Sequence, residues 1–118
     1  QDTKPLKQYI SKQTDYAFEL CKHLHQNPEL SFMEKETARR IAGELKQIDF
    51  QVTSQFGGNN VVGVYRNGDG PVVMMRTDMD ALPIREKTGL PFASEKMMKN
   101  ASIPLSLPPL LCWICKQS

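Results

Sequence analysis

Histidine and cysteine, the residues that most often hold transition metals, are nearly missing from this chain. Only two of its 118 residues are histidine, His23 and His25, and none follows them. Three cysteines (Cys21, Cys112, Cys115) are too few for a disulfide scaffold and leave the redox compartment open. No apolar run approaches the roughly 18 residues that would span a membrane, so no membrane role is expected. The 15 Lys and Arg against 13 Asp and Glu give a net charge of +2, spread without a basic stripe, which argues against a nucleic-acid footprint. Acidic residues stop at Glu95. No GxGxxG or Walker pattern surrounds Gly57-Gly58, and a turn is the reading there. What remains, 40% hydrophobic and 24% charged, fits a soluble globular protein. The chain begins at Gln1, so a processed or excerpted product is expected, and export with a removed signal peptide stays open.

Residues from about 4 to 26 have helical periodicity, with Leu6, Ile10, Ala17, Cys21 and Leu24 near one face and Pro28 beyond the last turn. His23 and His25 point roughly 200° apart on such a helix and cannot share a metal. One is expected in solvent and the other bonded locally or favouring the helix C-terminus. Ser31 to Glu34 has the form of a capping box for a second helix, whose buried face is Ala38, Ile41, Ala42, Leu45 and Ile48.

Three strand-like runs follow, at 50–54, 61–66 and 71–77. Asn67-Gly68-Asp69-Gly70 predicts a hairpin joining the last two. Val72 to Met75 has the composition of a strand buried on both faces. It delivers Asp78 and Asp80 to one side of the chain just before Pro83, where ligand sites of open α/β sheets gather. Two such carboxylates suit a metal or the shell supporting one. The pattern equally allows one Asp to cap a turn while the other is solvated. The strands carry Val and Met on both faces, yet residues 1–95 offer only two helices to cover them.

Taken together, His23-Leu24-His25-Gln26-Asn27-Pro28-Glu29-Leu30-Ser31-Phe32, Glu36-Thr37-Ala38, the Gly57-Gly58 turn, Arg76-Thr77-Asp78-Met79-Asp80-Ala81-Leu82-Pro83-Ile84 and Thr88 to Ser94 resemble the start of the dimetal amidohydrolases. The branch is that of hippurate hydrolase, N-acyl-amino-acid amidohydrolase and auxin-conjugate hydrolase, within the aminoacylase-type metallopeptidases. The resemblance runs over about residues 10–100. It implies part of a zinc-exopeptidase-like α/β domain: two N-terminal helices, about three strands and an irregular C-terminal tail. It also implies hydrolysis of N-acyl amino acids by two divalent metals, zinc or manganese, in a chain three to four times longer than this one. In the wider family the strand-end motif is His-x-Asp-x-x-Pro; here Asp78 stands at the His position, Asp80 at the Asp and Pro83 at the Pro. Asp80 is thus the first candidate, supporting rather than ligating, and Asp78 the second.

The family's Cys-Gly-His-Asp-type segment and later Glu and His ligands have no counterpart here. Residues 1–95 therefore form the family part, and 96–118, rich in proline and apolar residues, a non-family tail of the kind an altered reading frame produces. The expectation is that this chain alone binds no metal and is inactive, with self-association through uncovered apolar surface. Cys112 and Cys115 form a CxxC without the second ligand pair that a zinc site needs. The competing reading is a small non-catalytic module that binds a partner through the CxxC or an exposed sheet face.

Overall fold

The structure is a computed structural model that describes residues 2–96. Two helices, α1 (Lys4–Gln26) and α2 (Lys35–Gln47), precede two strands, β1 (Gln51–Ser54) and β2 (Val61–Val64). The α/β class and the N-terminal helix pair match the sequence reading. Among the described residues no helix is long and apolar enough to cross a membrane.

Helix α1 starts behind Asp2, whose carboxylate accepts the Lys4 N–H at 3.0 Å, and Pro5 fits the first turn without losing a useful donor. At its other end Asn27 donates from its backbone to the carbonyls of His23 and Leu24 and from its side chain to that of His23. Pro28, wholly buried, then turns the chain away. Only the second half of the expected apolar stripe is covered. Cys21 and Leu24 are buried, whereas Leu6 and Ile10 remain more than half exposed.

Helix α2 is not capped as the sequence suggested. Ser31 lies in a turn closed by the Met33 N–H on the Leu30 carbonyl, with Phe32 in the left-handed region at φ 66°. The cap comes instead from Glu29, whose two carboxylate oxygens accept the N–H groups of Glu36 (3.2 Å) and Thr37 (2.7 Å). A carboxylate there satisfies two orphan donors and also meets the positive end of the helix dipole, which a serine hydroxyl does not. Glu34 turns back to accept the Phe32 N–H.

Strands β1 and β2 pair antiparallel, with Gln51 opposite Val64 and Ser54 opposite Val61. Helix α2 lies on the face that carries Val52, Val61 and Gly63. At Gly63 a Cβ would come within 3.0 Å of the Leu45 and Phe50 side chains, so glycine admits the helix. Val62 and Val64 face away and stay exposed, the uncovered second face that the residue count implied.

The run 71–77 is not a strand, and the hairpin through 67–70 does not form. Among the described residues the sheet has two strands, β1 and β2. Val72 is 97% exposed and Met75 94%. Burial on both faces requires neighbours on both sides, and the described residues supply neither a strand beside this run nor a layer over it.

The chain packs against its start again at Ala81. Its N–H donates to the Glu29 carbonyl at 2.7 Å, forming an isolated parallel bridge between Leu30 and Ala81. Ala81, 2% exposed, packs with Leu24, and Leu20 and Ile41 close the cluster from α1 and α2.

Candidate functional site

Asp78 and Asp80 leave the exposed run just before this bridge. Asp78 is exposed and forms an ion pair with Arg76 at 3.2 Å. Asp80 is half-buried beside Ala81. Its neighbour's bond to Glu29 fixes where the second carboxylate enters, while nothing comparable fixes the first. Among the described residues, no group of three or more His, Cys, Asp and Glu is placed to hold a metal ion. His23 is exposed near the end of α1 and joins neither carboxylate.

The best-built polar centre lies elsewhere, around His25. This side chain is buried, and its Nε2 sits 2.8 Å from both carboxylate oxygens of Glu86. The two side chains are 6% and 2% exposed. His25 does lie in the last turn of α1, one of the two options the sequence left open, but its hydrogen-bond partner is not local and lies 61 residues away. Glu86 also accepts the Ser94 N–H at 2.8 Å and the Thr88 hydroxyl. The Phe92 ring stands edge-on to the imidazole at 5.6 Å and to Phe18 at 6.1 Å. Burial alone would raise the Glu86 carboxyl. The hydrogen bonds from Thr88, Ser94 and His25, with the charge of His25, outweigh it and hold the group below its ordinary 4.5. An ionised Glu86 gives no hydrogen, so His25 Nε2 carries one.

Sequence reasoning missed Glu86 because an acid between Arg85 and Lys87 has the look of a solvated position. No local periodicity signals a partner at this separation.

A second polar group bridges the helices. The Tyr16 hydroxyl donates to Glu44, which also accepts Arg40 Nε at 2.8 Å. These residues line an open groove together with His23, Glu36 and Arg39. Arg39 is itself held by both oxygens of Glu36.

No family model matches the chain. Hippurate hydrolase of Campylobacter jejuni is 43% identical over 81 residues, which are 67% of this chain and 21% of that protein. N-acetylcysteine deacetylase of Bacillus subtilis is 45% identical over 74 residues, 61% of this chain and 20% of the relative. Among solved structures, a dinuclear metal-binding peptidase of the M20 family from Bacillus subtilis superposes with a TM-score of 0.66 at 32% identity. That match covers 81% of this chain and 26% of the other. The chain thus spans about a fifth of the length of the curated relatives it matches.

Proposed function

Because the shared residues belong to the aminoacylase-type family of dimetal amidohydrolases, we propose that this chain is the amino-terminal portion of a catalytic domain that cleaves the amide bond of N-acyl amino acids. The observation that carries this reading is the Glu29–Ala81 bond, which brings the family-like Asp78-x-Asp80 segment back against the family-like His25-to-Phe32 stretch. In this reading Asp80, at the motif's Asp, orients a metal ligand, and Asp78, where the wider family has His, has a lesser part. Residues 1–95 constitute the family part and 96–118 a tail foreign to it; 97–118 lie outside the described residues.

The donor set does not fit a zinc or manganese centre by itself. Asp78 is already paired with Arg76, and two carboxylates fall short of the four or more ligands such an ion takes. No step of the reaction is therefore derived through a metal on this chain, and the chain alone is proposed to be inactive. The test is titration of the purified protein with zinc and with manganese, alongside hydrolysis assays on N-acetyl and N-benzoyl amino acids. Weak metal binding and no turnover are expected. Stoichiometric binding below micromolar that disappears in D78N/D80N would overturn the inactive-alone reading.

One observation favours a second activity, association between copies. Val72 to Met75 form four consecutive exposed apolar residues, more than isolated surface hydrophobics amount to.

A further inference from the structure

We infer that His25 and Glu86 form an acid-released latch that holds the 81–94 limb on the carboxyl end of α1. The limb has two pins. Ala81 is fixed by its N–H on the Glu29 carbonyl, and Glu86 by the imidazole of His25. Between them, 82–85 are exposed and add no comparable hold. Beyond the second pin the loop closes on the same carboxylate through Thr88 and Ser94, and Phe92 lies against His25 and Phe18. One carboxylate thus serves both as the loop's internal tie and as its attachment to α1.

The direction of release follows from the donors. Three groups, His25 Nε2–H, Ser94 N–H and the Thr88 hydroxyl, point at Glu86, and of these only the Thr88 hydroxyl can rotate to accept instead. An ionised carboxylate accommodates all three as donors, whereas a protonated one turns one accepting oxygen into a donor that only Thr88 can meet and removes the charge that His25 and Ser94 donate to. Other charges stand back. Arg85 and Lys87 flank Glu86 but lie in solvent, and Lys22 reaches over the Phe18 ring. Among the described residues, the charge that lowers Glu86 is that of His25. The latch stands whether or not the chain takes part in amide hydrolysis.

The test is amide hydrogen exchange on the full chain, comparing protection at Ser94 and Ala81 with that of α2. E86Q is expected to lower protection at Ser94 by about tenfold or more at neutral pH, the loss of about one hydrogen bond, with α2 unchanged. The native chain should show the same selective loss only below the ordinary carboxylate range. H25Q, which keeps a donor, should lose less than H25A. Where E86Q fails to fold, the pH series on the native chain decides. Loss at Ser94 and α2 by the same factor at the same pH would overturn the latch. So would an E86Q chain with native protection at Ser94.

Discussion

The carbonyl of Glu29 receives the Ala81 N–H while its own carboxylate caps α2 through Glu36 and Thr37. One residue therefore ties the start of the second helix to the segment that carries the two aspartates. Its side chain and its backbone do separate jobs, so substitution separates them. Glu29→Ala should destabilise the fold by about 0.5–2 kcal/mol, the usual range for a lost helix cap. The Leu30–Ala81 bridge should survive, because it uses only backbone. Denaturant melts would give the first, and the Ala81 amide exchange rate the second.

Acid should weaken the fold through Glu86. Its carboxyl is held below 4.5 in the folded state, so its contribution is fully present above that value and is lost as pH falls through the lower folded value. Stability of the native chain and of E86Q, measured by denaturant midpoint across acid pH, should converge at the acid end and diverge above it. Parallel curves would refute the assignment.

Tyr16 should resist ionisation. Its hydrogen bond to Glu44, then burial and the charge of Glu44, raise its phenol above 10 despite the opposing Arg40. A group raised in this way favours the fold below its unfolded value and ceases to do so as pH rises through the folded one. Ultraviolet titration of the phenolate should shift to lower pH in E44Q.

The exposed run should govern association. Val73→Lys with Met74→Lys removes apolar surface that no described residue covers. The double variant should sediment as a smaller species at equal concentration, with an unchanged circular dichroism spectrum. An unchanged sedimentation coefficient would exclude this run as the contact.

Both helices were legible because a 3.6-residue repeat reports on a single element and its neighbours in sequence. Ala38 and Ala42 are buried as the repeat requires. Strand β2 was legible for a similar local reason, since Val61 and Gly63 face α2 while Val62 and Val64 do not. Val72 to Met75 misled because composition states what a segment can bury, not whether anything is present to bury it. The cap on α2 was misplaced because Ser31 satisfies a local rule, whereas Glu29 succeeds through the fold of the 29–34 turn. His25 and Glu86 were beyond reach for a different reason. Their pairing is a tertiary event across 61 residues, and neither residue type announces it.

The small size of the cluster around Leu24 and Ala81 has a thermal consequence. Unfolding increases heat capacity mainly by wetting apolar surface, about 12–15 cal/mol/K per residue in ordinary domains. Here the buried apolar residues among those described are Cys21, Leu24, Pro28, Ala38, Ala42 and Ala81, three of them alanines. Unfolding should therefore raise the heat capacity less per residue than in a fully packed domain, and the stability curve should be shallow. Calorimetry should find a broad, low-enthalpy transition in place of a sharp melt.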